Sequence, residues 1–401
     1  MPKVLVLTND FPPRPGGIQF FVHALAMRLP PESVTVYAPA WEGAARFDAE
    51  LPFPVVRHPA SLMLPVPSVA HRAERIIERD GCDTVLFGAA APLGLLAPRL
   101  RKAGAQRLIA LTHGHEVGWA ALPAARAILR RIGDSVDTVT YLGDYTRVRL
   151  AHALSPAAVA RMTRLTPGVD TGEFYPGAGG QAIRERLGLG DRPVVVCVSR
   201  MVPRKGQDTL IHAWPLVLAT APDATLLLVG DGPYRGRLER MARHFGVAGS
   251  VIFTGAPSRA ELPAYFDAGN VFAMPCRTRR RGLDVEGLGM VFLEAAATGL
   301  PVVGGDSGNS ADAIREGETG YVVSGHSVAE LADRLNRLLT DHGAAKAMGE
   351  KGMAWVHQEW RWEIIAHRFA EILAGRILAG SDPGQRSTGM PAGRARPDTQ
   401  E

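Results

Sequence analysis

Lys3-Val4-Leu5-Val6-Leu7-Thr8 runs into Asn9-Asp10-Phe11-Pro12-Pro13-Arg14-Pro15-Gly16-Gly17, and a helical apolar pattern follows from Ile18 to Leu29. A β-prone apolar run, a glycine-rich turn and a helix form the opening unit of a doubly wound α/β domain. Outward from this unit the alternation repeats. Val34–Ala38, Val55–His58, Thr84–Phe87, Arg107–Leu111 and Asp137–Tyr141 read as strands, with helical stretches such as Val69–Arg79 and Leu93–Lys102 between them. That order predicts a parallel sheet covered on both faces. The turn-rich Thr166–Asp170 and Pro176–Gly180 mark a hinge. A second alternation follows: Pro193–Ser199, Ala224–Gly230, Ser250–Gly255, Asn270–Pro275, Pro301–Gly304 and Tyr321–Val323. The expected architecture is α/β, with two Rossmann-like lobes facing a cleft: residues 1–170, then 171–359. Trp360–Ala379 reads as a last amphipathic helix, and the Pro-, Gly-, Arg- and Ser-rich residues 381–401 as a disordered tail.

The 401 residues suffice for two domains, and a hydrophobic content of 46% supplies two cores. The apolar runs are short and interrupted, so no membrane-spanning helix is expected. Neither is a signal peptide, because the chain enters a strand pattern at once. Cys82, Cys197 and Cys276 lie far apart in or beside apolar runs and read as buried free thiols in a reducing cytoplasm. The formal charge of +5 suits anionic substrates, an anionic membrane surface or plain solubility. No basic stretch interleaved with aromatics points to nucleic acid.

Chemistry concentrates at four places. In Glu286-Gly287-Leu288-Gly289-Met290-Val291-Phe292-Leu293-Glu294, two carboxylates flank a glycine loop that opens a helix. Such a loop offers N–H groups to an anion. Glu286 would lie in the loop and Glu294 within the helix; a plain helix start with a solvated Glu reads equally well. Ser199-Arg200-Met201-Val202-Pro203-Arg204-Lys205-Gly206 places cations at a strand's carboxyl end, as a diphosphate site requires. Gly16-Gly17 suits a phosphate or a simple turn. It lacks the G-x-G-x-x-G spacing, so NAD is not expected. Thr112-His113-Gly114-His115-Glu116 ends a strand where ligands gather. Its two histidines and Glu116 would also serve a metal-dependent hydrolase, although no further ligand set follows. Gly230-Asp231-Gly232-Pro233 is a tight turn, and Ser307-Gly308-Asn309-Ser310 is a further candidate for ligand contact. Asp284-Val285-Glu286 has the form of a metal-binding D-x-D but does not follow a strand closely. The apolar loop Ser61–Pro67 and the seven Arg against three Asp in Ala124–Arg164 fit contact with anionic lipid, or a self-packed loop and a solvated face.

Taken in order, GGIQ, HGHE, PGVD, SR-x3-RKG, GDG and E-x7-E resemble the retaining glycosyltransferases of the GT-B fold, family four. The match runs from about Lys3 to Leu373. NDFPPR, THGHEVGW, FAMPCRTR and LDVEGLGMVFLEA are similar to the actinobacterial branch that mannosylates phosphatidylinositol mannosides. The resemblance implies metal-independent, retaining transfer of mannose from GDP-mannose to a phosphatidylinositol monomannoside acceptor at a membrane surface, in alpha-1,6 linkage. A related enzyme using another nucleotide sugar and acceptor would share these motifs. No cofactor is implied beyond the donor substrate. By resemblance, Arg200 and Lys205 hold the diphosphate and Glu286 sits by the donor sugar. The N–H groups of Gly287, Leu288, Gly289, Met290 and Val291 meet hydroxyls and phosphate, and Glu294 accepts from the ribose. Gly16 and Gly17 close from the other lobe, His113 lies near the reacting carbon, and Asp10 faces the acceptor. The last helix is implied to pack back toward the N-terminal lobe, and the enzyme to be cytoplasmic, peripheral on the plasma membrane's inner face. Three departures stand out. Gly308-Asn309-Ser310-Ala311-Asp312 replaces the family's G-G-x-x-E turn. Leu142-Gly143-Asp144 lacks its helix-lead serine. Phe20-Phe21 follows Gln19 in place of a small polar residue and an aromatic.

Overall fold

The computed structural model describes residues 2–114 and 116–376; His115 and the expected tail of 381–401 lie outside the described residues. Seven strands build the first sheet: β1 Val4–Leu7, β2 Val34–Pro39, β3 Val55–His58, β4 Thr84–Phe87, β5 Arg107–Ala110, β6 Thr138–Tyr141 and β7 Met162–Arg164. All pair in parallel, in the order β3-β2-β1-β4-β5-β6-β7. The second sheet holds β8 Val194–Val198, β9 Thr225–Val229, β10 Val251–Gly255, β11 Val271–Met274, β12 Val302–Gly305 and β13 Gly320–Val323. Its order is β10-β9-β8-β11-β12-β13, again all parallel. β1, β2, β4, β8, β9 and β11 are buried along their whole length, which is why they appear in the sequence as unbroken apolar runs.

In each sheet the strand order reverses beside the first strand, between β1 and β4 and between β8 and β11. Ligands of such sheets bind at this point, beyond the strands' carboxyl ends. The Asn9–Gly17 loop leaves β1 there, and the Ser199–Gly206 loop leaves β8. β7 is a strand that the sequence reading passes over: it has three residues, follows a short helix, and lies inside a basic stretch.

The final helix spans Trp362–Ala374 and ends where Gly375 turns left-handed (φ 73°), five residues short of the end expected at Ala379. Its Trp362, Ile365, Phe369, Ile372 and Leu373 join Val4, Val6, Phe21, Val22 and Leu25 in one core on the first sheet. The chain therefore crosses between lobes twice, and the crossings are stitched together. Val169 N–H donates to the Trp360 carbonyl at 2.8 Å, and Trp362 N–H to the Val169 carbonyl at 3.3 Å.

Candidate functional site

The turn after β8 brings its cations to the glutamate of the glycine loop. Lys205 Nζ and Arg204 Nη1 each lie 2.7 Å from Glu286 Oε2, and Arg204 Nε lies 3.2 Å from Asp284 Oδ1. Lys205 and Glu286 keep only 9% and 7% of their exposure. Burial acts to raise the Glu286 carboxyl, but Lys205 and then Arg204 outweigh it and hold it below the usual carboxylate range. Arg200, by contrast, is exposed and makes no ion pair among the described residues. Of the candidate cations it is the one open to an incoming anion. Arg204, weighed in the sequence only as one of a basic trio, is as close to Glu286 as Lys205 is.

Gly287, Leu288 and Gly289 follow as a loop, and Gly289 at φ 76° leads into the helix Met290–Ala297. A Cβ at Gly289 would meet the Phe292 ring at 2.5 Å, so both its backbone and its neighbour require glycine. N–H groups in the first turn of a helix lack partners within it and point outward. Glu294 sits one turn further on, half-buried. Desolvation pushes its carboxyl up to about 7, with Arg259 opposing and Glu173 reinforcing the shift.

A polar turn from the end of β12 grips this loop from behind. Glu286 N–H donates to Ser307 Oγ at 3.2 Å, Asn309 N–H to the Glu286 carbonyl at 3.3 Å, and Asn309 Nδ2 to the Gly287 carbonyl at 2.5 Å. Ser307, Asn309 and Ser310 are fully buried. The sequence offers residues 307–310 as a further candidate for ligand contact; in the structure Ser307 and Asn309 hold the loop.

The first lobe supplies the opposite wall. Gly17 starts the helix Gly17–Ala26, from which Gln19 Nε2 donates to Asp10 Oδ1 at 2.7 Å. Arg14 Nη1 lies 4.0 Å from the same carboxylate. His113 is buried at the end of β5. Its Nε2 lies 2.6 Å from the Gly88 carbonyl, which only accepts, so this nitrogen carries the proton. The N–H groups of His113 and Gly114 donate to Glu116 Oε2 at 2.9 and 3.1 Å. Glu116 thus braces the loop, a role that a purely local H-G-x-E spacing does not announce. Among the described residues no group of His, Cys, Asp and Glu is arranged to hold a metal ion. All three cysteines are buried and free; burial pushes their thiols up to about 11 at Cys82 and Cys197 and about 12 at Cys276.

The two walls meet. A Cβ on Gly287 would stand 3.6 Å from the His113 carbonyl oxygen. The Arg259 guanidinium lies 4.3 Å from the centre of the Phe20 ring. Lys205, Glu286 and His113 therefore converge on one cleft, with Glu294 behind it on the helix Met290–Ala297. Asp10 and Gly16-Gly17 stand on the first lobe's wall, where Gln19 and Arg14 hold the Asp10 carboxylate.

Two family models match the chain: Glycosyltransferase Family 4 over residues 15–173 and Glycosyl transferases group 1 over residues 181–355. A Mycobacterium tuberculosis (strain ATCC 25618 / H37Rv) protein called GDP-mannose-dependent alpha-(1-6)-phosphatidylinositol monomannoside mannosyltransferase is 51% identical, over 94% of this chain and 99% of its own. Its namesake in Mycolicibacterium smegmatis is 52% identical over 93% and 98%. A Corynebacterium glutamicum relative, whose name specifies the monoacylated acceptor, is 46% identical over 92% and 97%. Among solved structures, Anabaena HepE in complex with UDP superposes with a TM-score of 0.78 at 20% identity, covering 93% of this chain and 100% of that one. A Rickettsia africae glycosyltransferase superposes with a TM-score of 0.76 at 16% identity, covering 94% and 98%. At such identities the likeness concerns the fold.

Proposed function

This chain belongs to glycosyltransferase family 4, with the GT-B fold, and from that premise we propose that it transfers mannose from GDP-mannose to phosphatidylinositol monomannoside in alpha-1,6 linkage. The observation that carries the reading is identity of about one half along nearly the whole length of relatives bearing that activity in their names. It is a mannosyltransferase that acts in building a glycolipid.

The geometry supports a retaining transfer without metal. Arg200 meets the donor diphosphate first. The diphosphate then competes with Glu286 for Lys205, and Glu286, released from the cation, turns to the hydroxyls of the sugar. As the sugar–phosphate bond loosens, negative charge grows on the leaving diphosphate. Arg200, Lys205 and the N–H groups at the start of Met290–Ala297 face that charge and stabilise it. Glu294 accepts from the ribose hydroxyls. The acceptor hydroxyl enters from the leaving-group side, between His113 and Asp10, and the departing phosphate oxygen takes its proton. No strong base is then required.

No helix of the described residues is long and apolar enough to cross a membrane. The lipid acceptor is met at a surface, through the loop before the helix Pro67–Asp80. Leu62, Leu64 and Val66 are 53%, 49% and 41% exposed there, with Arg72 and Arg75 exposed on the helix that follows. Asn9 clamps the loop beside Asp10 through both its amide atoms, at 2.9 and 2.7 Å from the Met63 carbonyl and N–H.

The test is mannosyl transfer by the purified protein from GDP-mannose to lipid acceptors with and without one mannose, with and without EDTA. Transfer to the monomannosylated lipid alone, unchanged by EDTA, is expected. Transfer only from another nucleotide sugar would discard the donor assignment.

A further inference from the structure

The helix Asp144–Ala151 of the first lobe has no side-chain cap of its own, because Gly143 stands at its start. Two of its leading N–H groups are met from the second lobe. Thr146 N–H donates to Asn309 Oδ1 at 3.1 Å, and Asp144 N–H to Asp312 Oδ2 at 3.2 Å. Thr146 Oγ1 also reaches Asn309 Oδ1, at 3.4 Å. The other end of the Asn309 amide holds the Gly287 carbonyl at 2.5 Å. One fully buried side chain thus joins the first lobe to the glycine loop of the second.

Gly143 makes the approach possible. Its backbone is extended (φ −166°, ψ −179°), a conformation open to any residue, so its own torsions do not require glycine. The other lobe does. A Cβ at position 143 would stand 2.3 Å from Asp312 Oδ2, 2.8 Å from Asn309 Oδ1 and 2.9 Å from Asn309 Cβ. Asp312 has a flexible end, but Asn309 is pinned by Gly287. Two of the three departures from the family pattern, at 142–144 and at 308–312, are therefore one contact seen from its two sides.

We propose that Asn309 is a positioning residue: it caps the helix Asp144–Ala151 only when the lobes are closed, and in doing so sets the Gly287–Val291 loop for transfer. This rests on reading that loop as the donor loop. An N–H left uncapped when the lobes part is met by water, so the clasp is reversible and worth no more than one or two ordinary hydrogen bonds.

The experiment is a double-mutant cycle of Gly143→Ala and Asn309→Ala. Gly143→Ala touches nothing in the first lobe that glycine's backbone requires, so it stays informative if Asn309→Ala unfolds the second lobe. Each single variant is expected to lower kcat about three- to tenfold, with GDP affinity by calorimetry changed less than about twofold. The double variant is expected to be no worse than the worse single, because both changes remove the same contact. Without ligand, the Gly143→Ala chain is expected to scatter X-rays as a larger particle than wild type. Wild-type kcat in either single variant, or losses that multiply, would overturn the clasp. If the wild-type chain transfers no mannose to any lipid, the functional reading falls. Scattering, which needs no substrate, then decides the clasp alone, and a Gly143→Ala chain of wild-type size overturns it.

Discussion

Lys205 and Arg204 share one carboxylate oxygen, and this sharing determines what a substitution does. Lys205→Ala leaves Glu286 neutralised by Arg204, so the fold survives while the diphosphate loses a charge. A loss of about 10²–10³ in kcat/KM is expected with little change in the urea midpoint. Near-normal turnover would remove Lys205 from the diphosphate site. Glu294 makes a pH prediction. Its raised value means that the folded chain binds this proton more tightly than the unfolded chain does. Its cost to stability therefore appears as pH rises toward about 7 and is complete above it. An ionised carboxylate accepts from ribose hydroxyls more strongly than the neutral acid does, so GDP affinity is expected to be greatest above pH 7 and to fall as pH drops through that value. Calorimetry at a series of pH values checks this, and Glu294→Gln should flatten the profile at low affinity. An unchanged slope in that variant would assign the titration elsewhere.

The elements differ in how much they owe to their own sequence. β1 and β8 need only their apolar runs and the helices that cover them. The loop before Pro67–Asp80 is different, because three apolar side chains stay in water while Asn9 fixes the backbone beneath them. Leaving such a patch bare is costly, and apolar insertion beside basic residues is how a protein without a membrane span holds anionic lipid. Leu62→Ser with Leu64→Ser should abolish co-sedimentation with phosphatidylinositol-containing vesicles at moderate salt. Turnover on a short-chain soluble acceptor should remain. Vesicle binding equal to wild type would place the membrane contact on another face.

At the scale of the whole molecule, the helix Trp362–Ala374 decides whether the first lobe is closed on its outer face. Trp362 stacks under the Arg28 guanidinium at 3.9 Å and packs near Phe21, and Gly168 presses on its backbone. Trp362→Ala should cost about 3–5 kcal/mol, the usual price of emptying a buried aromatic site, measured as a fall in the urea midpoint. It should also loosen the two stitched crossings, so that the first lobe becomes sensitive to protease before the second. A variant as stable as wild type would mean that the helix is only docked there.

The parallel sheets were legible in the chain because a strand buried on both faces can be written only in apolar residues, and that signal is local. β1, β2, β4, β8, β9 and β11, buried along their whole length, announce themselves this way. β3 and β10 are only half-buried over most of their length, and β7 gives no such signal, being three residues long within a basic stretch. The glycine loop and its following helix were legible for a similar reason, since a left-handed residue ahead of a helix start calls for glycine at Gly289. The pairing of Lys205 with Glu286, the brace of Glu116 on the His113 loop and the capping of Thr146 by Asn309 were not legible. Arg204 and Asn309 are ordinary polar residues in loops, and their meaning lies in partners 82 and 163 positions away. Backbone preference and hydrophobic pattern are properties of neighbouring residues and survive in one dimension. The charge pairs join loops that follow different strands of the second sheet, and the cap joins one lobe to the other, so only the folded chain decides either.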